Sequence, residues 1–423
     1  MRIRHAPSLV APTVLAVVTI VLPLGVTATK HGFVEPARII HELQGDEPGA
    51  FFGWAVAELT DIDADGVQDL IVSAPLHGPD GAGRTDVYSG NSGQLVHRFA
   101  EGPGELHGYA IADAGDIDAD GRHDIVAGAR DGNRAYVYSG RTGERLLALE
   151  GEAPGDLFGF AVASAGDIDG DGRADVLVGA PGNDANGRDA GRAYVFAGLD
   201  GHRIRSLDGK APGDLFGSAT DWLADVDADG RFEHVIGARN AGPFRDGAVH
   251  VFSGVTGAER FSVEADKKGE DLGWFFVAGL DDIDGDGVAD IYAGDFSYSD
   301  AGDDRGAAYV YSGVDGRTLR TWFGSSARQG FGPGREAGDV DRDGTMDVVV
   351  GSYLSPDNAR QAGKAEVFSG ATGARLRTIT SLSRGEQFGF DAIGLADVDG
   401  DARVDLVVSA AAGDVVYVIA GQD

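Results

Sequence analysis

One aspartate-rich segment of nine residues recurs seven times along this chain, and that recurrence constrains the fold more than any other feature. The copies are DIDADGVQD at 61, DIDADGRHD at 116, DIDGDGRAD at 167, DVDADGRFE at 225, DIDGDGVAD at 282, DVDRDGTMD at 339 and DVDGDARVD at 397. They begin 51 to 58 residues apart, so the chain is an array of one repeated supersecondary unit.

Each unit has the same layout. An aromatic-glycine or similar pair stands before the acidic segment: Phe52-Gly53, His107-Gly108, Phe158-Gly159, Phe216-Gly217, Leu272-Gly273, Phe331-Gly332 and Phe388-Gly389. After it comes a short apolar run such as Val176-Leu177-Val178, ending in Gly179-Ala180-Pro181 or a variant. A variable loop, an alternating run such as AYVFAG at 193, an Asp-Gly or Thr-Gly turn and a last short run complete the unit. These runs are four to eight residues long, rich in Val, Ile, Tyr and Phe, and bounded by glycine. They read as four β-strands joined by tight turns. The 67 glycines among 423 residues fit that density of turns.

Four strands per unit and seven units predict an all-β, seven-bladed β-propeller of four-stranded blades. A row of β-sandwiches fits less well, because one unit is too short for a sandwich of about 100 residues. The blades fall near 51–100, 106–151, 157–209, 215–265, 271–323, 330–381 and 387–421, the last completed by 37–44. The closing strand is legible because ARIIHELQGDEPG at 37–49 resembles the end of a unit, ERLLALEGEAPG at 144–155. The seventh unit stops after its third strand, at VYVIAGQD. The N-terminal strand around Arg38–Leu43 therefore supplies the missing fourth strand and closes the ring.

The acidic segments point to calcium. Carboxylates at loop positions 1, 3 and 5, a glycine at 6 and a carbonyl at 7 reproduce the first half of an EF-hand loop, and here an acid at position 9 completes the cage. In the first loop the ligands are Asp61, Asp63, Asp65, the carbonyl of Val67, and Asp69. The second has Asp116, Asp118, Asp120, Arg122 and Asp124; the third has Asp167, Asp169, Asp171, Arg173 and Asp175. The fourth has Asp225, Asp227, Asp229, Arg231 and Glu233; the fifth has Asp282, Asp284, Asp286, Val288 and Asp290. The sixth has Asp339, Asp341, Asp343, Thr345 and Asp347; the seventh has Asp397, Asp399, Asp401, Arg403 and Asp405. An all-oxygen set of this size suits Ca²⁺ better than a soft metal or Mg²⁺. A strand follows each loop where EF-hands and dockerins place a helix. Six loops carry glycine at position 6, while the seventh carries Ala402, so the seventh is expected to be the weakest site.

Charge and composition narrow the function. The formal charge of −33 argues against binding nucleic acid through its phosphates. The 28 loop acids account for most of it, and seven Ca²⁺ would offset half of their charge. The absence of cysteine excludes a disulfide scaffold, thiolate metal sites and a cysteine nucleophile. Residues 1–28 have the layout of a signal peptide: Arg2 and Arg4, an apolar run, and Val26-Thr27-Ala28 as a small-residue cleavage site. An uncleaved anchor is the alternative, since the run approaches the length of a span. The expected mature protein, 29–423, is secreted or cell-surface (extracellular or periplasmic), without a membrane span, and monomeric.

The Phe-Gly, Asp-x-Asp-x-Asp-Gly and Gly-Ala-Pro elements recur in this order over roughly 37–423, and in this the chain resembles FG-GAP repeat proteins, including the propeller of integrin α subunits. The resemblance implies a seven-bladed propeller with calcium between the first two strands of a blade, and a binding or adhesion role. In integrins only the later blades carry such loops; loops in all seven suggest a free-standing bacterial-type relative. The resemblance also places the metal loops on one face and variable binding loops on the other. Blades 4 to 6 have the richest of these, which makes Phe244, Arg245, Phe296, Tyr298 and Tyr353 candidates for contact with a protein or glycan ligand. No G-x-S-x-G, H-E-x-x-H or Walker sequence is present, and nearly every paired carboxylate is assigned to a loop, so no enzyme is expected. The alternatives are a calcium-dependent extracellular enzyme, polysaccharide lyase-like or phospholipase-like, and a purely structural surface protein.

Overall fold

The computed structural model describes residues 32–265, 271–299 and 303–421; the signal segment expected over 1–28 lies outside the described residues. The short alternating runs form seven antiparallel sheets of four strands each, and the fold is a seven-bladed β-propeller. Blade 3 shows the plan. Its strands are Ala161–Gly166, Asp175–Ala180, Arg192–Phe196 and Arg203–Asp208, paired in chain order. The first strands of successive blades pack on one another and ring the central channel. The first two strands of the blade are buried throughout, whereas the outermost is half-buried or exposed at all but one position.

The core lies between blades. Phe158, fully buried, packs with Val126, Val137 and Leu149 of blade 2 and with Val176, Val178 and Tyr194 of its own blade. Truncating such a side chain costs about 3–5 kcal/mol. Gly159 behind it has φ +85°, and a Cβ there would lie 2.1 Å from the Arg134 carbonyl of blade 2. This explains the second letter of the Phe-Gly pair: only glycine permits both the conformation and the approach. Short parallel bridges add a second stitch, since Gly191, before the third strand of blade 3, pairs with Phe216 of blade 4.

The ring closes as expected. Ile39–Gln44 pairs with Val415–Ile419, so the last blade reads, from outside in, N-terminal strand, third, second and first strand. The N-terminal segment also clips blade 6: Phe33 bridges Ser381, and the Val34 N–H donates to the Thr380 carbonyl at 2.9 Å. No helix among the described residues is long and apolar enough to cross a membrane.

Candidate metal centre

Each acidic loop joins the end of a first strand to the start of a second, so all seven lie on the face where the first strands end. The loop is built by its own carboxylates. In blade 3, Asp167 accepts the N–H of Gly170 (2.7 Å) and Gly172 (3.1 Å). Asp169 accepts the Asp171 N–H (3.0 Å), and Asp171 accepts the Arg173 N–H (2.9 Å). These are Asx-type turns, in which a short side chain bonds the backbone a few residues on. They leave the second oxygens of positions 3 and 5 outside the turn bonds.

Position 9 differs from the rest. Asp175 is fully buried at the start of the second strand. One of its oxygens accepts the Ile168 N–H (2.7 Å), and the other accepts the Gly198 N–H (2.9 Å) at the end of the third strand. The same double bond is made by Asp69, Asp124, Asp290, Asp347 and Asp405. This acid ties the loop to the blade. Burial pushes its carboxyl up, to about 6 for Asp69, Asp175, Asp290 and Asp347 and about 7 for Asp124, despite the two N–H donors. A buried carboxylate with that penalty is stabilised by a nearby cation.

Convergence follows from these bonds. In the first, second, third and fifth loops the acids at positions 1, 3 and 9 bring carboxylate oxygens within 4.8 Å of one another, and in the fourth those at 1, 3 and 5 do so. The donor set is hard oxygen throughout, which fits a calcium-type cation and no thiophilic metal. Arginines already lean toward the acids: Arg141 lies 2.8 Å from Asp120, Arg317 pairs with Asp284, Arg260 with Asp227, and Arg38 with Asp399 and Asp401.

Two loops depart from the pattern. Glu233 accepts the Val226 N–H (3.0 Å) with one oxygen, but the extra methylene turns the other to Arg260 (3.3 Å). Ala402 occupies position 6 at φ +64°, in the left-handed region where the six glycines lie at φ +84° to +92°.

Side chains at position 7 have a role that motif reading assigned only to their carbonyl. Arg173 donates to the Ile117 carbonyl of the preceding loop (2.9 Å), and Arg122 reaches the Asp61 carbonyl in the same manner. The first three loops are thereby laced together.

The opposite face carries the loops between second and third strands. Phe244 is 50 % exposed there. Arg245 donates to the Gly213 carbonyl at 2.7 Å, linking its loop to the connection between blades 3 and 4. Phe296 packs on Trp274, and Tyr353 on Phe390. The expectation for Tyr298 needs correction: it is only 3 % exposed and packs on Phe323, so its ring supports its own blade and is not offered to a ligand.

Phe296 and Tyr353 belong to a closed aromatic circuit at this mouth of the channel. It runs Trp54, Tyr109, Phe160, Phe275, Trp274, Phe296, Tyr353, Phe390 and back to Trp54, with centroids 4.8 to 6.4 Å apart. Five of these rings follow a Phe-Gly-type pair directly, a signal present in the sequence as Trp54, Tyr109, Phe160, Trp274 and Phe390. Arg239 stands 3.2 Å over the Trp274 ring and Arg130 4.0 Å over Tyr109, in cation–π contact.

Parts of this chain are similar to known proteins. The FG-GAP repeat family model matches residues 52–88 and 158–196, in blades 1 and 3. The chain is similar to integrin alpha-5 of Xenopus laevis (32 % identical over 213 residues, 45 % of this chain and 20 % of the relative). It is also similar to human integrin alpha-IIb (34 % over 171 residues, 34 % and 16 %) and chicken integrin alpha-V (31 % over 158 residues, 35 % and 15 %). The matched stretch spans about a fifth or less of the length of these relatives.

Proposed function

We propose that this FG-GAP, integrin-alpha-like propeller is a secreted or cell-surface binding module, held rigid by about seven calcium ions, that engages a protein or glycan ligand through the face opposite its metal loops. The observation that carries the reading is the convergence of position 1, 3 and 9 carboxylates in one loop after another. Each loop would offer Ca²⁺ the acids at positions 1, 3, 5 and 9 and the carbonyl at 7, from Asp61–Asp69 through Asp397–Asp405. The cation would offset the charge of the buried position-9 acid and fix the turn between the first two strands. The variable loops around Phe244, Arg245, Phe296 and Tyr353 would then stand on a rigid scaffold. The signal-like segment at 1–28 and the integrin relatives support an extracellular setting.

The test is a screen of glycan and extracellular-protein arrays with and without calcium. Binding that disappears in EDTA and weakens on Phe244→Ala is expected. Turnover of a polysaccharide or lipid, or binding indifferent to both calcium and the 242–247 loop, overturns the reading.

A further inference from the structure

The central channel has two unlike mouths. At the mouth opposite the metal loops the aromatic circuit rings the axis. At the metal-loop mouth lies a cavity of about 230 Å³, lined by residues such as Ala224 and Asp281 that directly precede loops four and five.

Blade 4 gives this mouth an aromatic ledge. Trp222 lies where the other blades carry Glu58, Asp113, Ser164, Gly279, Glu336 and Gly394. It stacks on Phe232 with centroids 4.6 Å apart and an angle of 28°. Phe232 is seated against Gly166 of blade 3, where a Cβ would lie 2.5 Å from its ring. Despite this preformed seat, Trp222 is 41 % exposed and Phe232 37 % exposed. Trp274 and Trp322, by contrast, are 7 % and 8 % exposed.

Behind the ledge the cavity is strongly acidic. Its lining holds five carboxyl groups, Glu58, Asp113, Asp221, Asp281 and Glu336, and one guanidinium, Arg335. Arg335 is committed to Asp391 (3.0 Å), and Asp113 is paired with His123 (2.8 Å). Glu58 and Glu336, from blades 1 and 6, both line the cavity, and burial with that like charge pushes Glu58 well up. Burial pushes Asp221 up to about 7 as well, and Arg335 acts on Glu336, Asp221 and Glu58 besides Asp391, yet the lining holds five carboxyl groups against this one guanidinium.

An aromatic ledge beside a cavity with more carboxyl groups than cations is complementary to one chemistry. A guanidinium is planar, stacks on an indole face and donates in a fork to carboxylates, while its stem and neighbours cover apolar surface. We propose that the Trp222–Phe232 ledge and the cavity behind it form a docking site for a partner polypeptide that inserts an arginine side chain from the metal-loop face. The apolar neighbours of that arginine lie on Trp222 and Phe232, and its guanidinium reaches Asp221 and the Glu58–Glu336 pair. This site is separate from the variable-loop face and stands or falls independently of it.

The test uses calorimetric titration of the full protein in millimolar calcium, with acetyl-Leu-Arg-Leu-amide and its citrulline twin as probes. Citrulline has the same shape and no charge. The arginine peptide is expected to bind at least tenfold more tightly than the citrulline peptide. Trp222→Ala and Asp221→Asn should each weaken it at least fivefold with melting curves unchanged. If Trp222→Ala does not fold, Phe232→Ser serves as the second ledge variant, with the same loss expected. Equal binding of the two peptides, no measurable heat, or affinity indifferent to the ledge variants overturns the proposal. Equal affinity of acetyl-arginine-amide overturns the ledge as a docking surface for a chain.

Discussion

Blades 3 and 7 reach the same architecture by different routes. Blade 3 is one continuous stretch, 161–208. Blade 7 joins Phe388–Leu395, Asp405–Ala410 and Val415–Ile419 to Ile39–Gln44 from the other end of the chain. The position-9 acids nevertheless make equivalent bonds: Asp175 to Ile168 and Gly198, Asp405 to Val398 and Gly421. A blade is therefore defined by its pairings and its buried acid, not by chain continuity. What blade 7 adds is a link between closure and loop: Arg38, just before the closing strand, pairs with Asp399 and Asp401.

Calcium removal should break what the two blades share. A ligand present at 100 times its Kd stabilises the folded state by about 2.7 kcal/mol per site, and the seven proposed sites would act on one ring. EDTA should lower the melting temperature by more than any single substitution does, and calcium should restore it better than magnesium. A melting curve unmoved by EDTA would contradict the metal reading of both loops.

Truncation should separate the blades. Deleting residues 32–44 strips the outer strand from Val415–Ile419, a fully buried run of five apolar residues, and the clip from blade 6. An exposed apolar edge pairs with other chains. The expected outcome is loss of monomer by size-exclusion chromatography and a lower melting temperature, with recovery when a 32–48 peptide is added. A stable monomeric truncation would show that the ring does not depend on this strand.

These differences mark what was legible in the sequence. The acidic loops and the Phe-Gly pairs are local patterns repeated seven times, so spacing exposes them, and the closing strand is legible from the likeness of 37–49 to the end of a unit at 144–155. The bond from Asp175 to Gly198 joins residues two strands apart, and no local motif announces it. The position-7 arginines act on the preceding loop, more than fifty residues away in sequence. Tyr298 looked like a loop aromatic because composition does not say whether a ring turns outward or onto its own blade. The channel acids escaped for the same reason: Glu58 and Glu336 belong to different units and meet only when the ring closes.

Blade 2 sharpens the comparison at the position of Phe158. His107 there is fully buried, with its ring nitrogens 2.9 Å from the Tyr138 hydroxyl and 3.4 Å from that of Thr85. Burial holds it neutral and pushes its pKa down to about 3, from an ordinary 6.5. The unfolded chain then binds the proton more tightly than the folded one. The contribution is fully present above pH 6.5 and is lost as pH falls from there toward 3. At one pKa unit per 1.36 kcal/mol, the loss by pH 4 is roughly 3 kcal/mol. His107→Phe, which copies blade 3, should leave stability at pH 7 within about 1 kcal/mol and flatten the acid limb in denaturant titrations from pH 7 to 4. An acid limb unchanged by the substitution would mean that His107 is not the group responsible.

The smallest effect concerns a single Cβ. Gly172 of blade 3 and Ala402 of blade 7 occupy the same loop position at φ +88° and +64°. A Cβ added at Gly172 would meet nothing within 4 Å, so packing does not demand glycine here and only the backbone does. A left-handed alanine costs on the order of 1 kcal/mol more than glycine. The loop makes its turn bonds all the same, with the Ala402 N–H donated to Asp397 at 2.6 Å and Asp401 accepting from Arg403 at 3.0 Å. Gly400, at φ +82°, takes the earlier left-handed turn without strain, as Gly170 does in blade 3. Because the loop's own turn bonds hold this conformation, part of the cost falls on folding and part on calcium binding. Ala402→Gly should therefore raise stability in EDTA by no more than about 1 kcal/mol. It should tighten the weakest calcium site by up to about fivefold, since 1.4 kcal/mol corresponds to tenfold. Calorimetric titration separates the two shares, with Gly172→Ala as the mirror experiment that should impose the same cost on blade 3. If Gly172→Ala weakens calcium binding while Ala402→Gly changes nothing, the Arg38 contact, rather than the alanine, sets the affinity of the seventh loop.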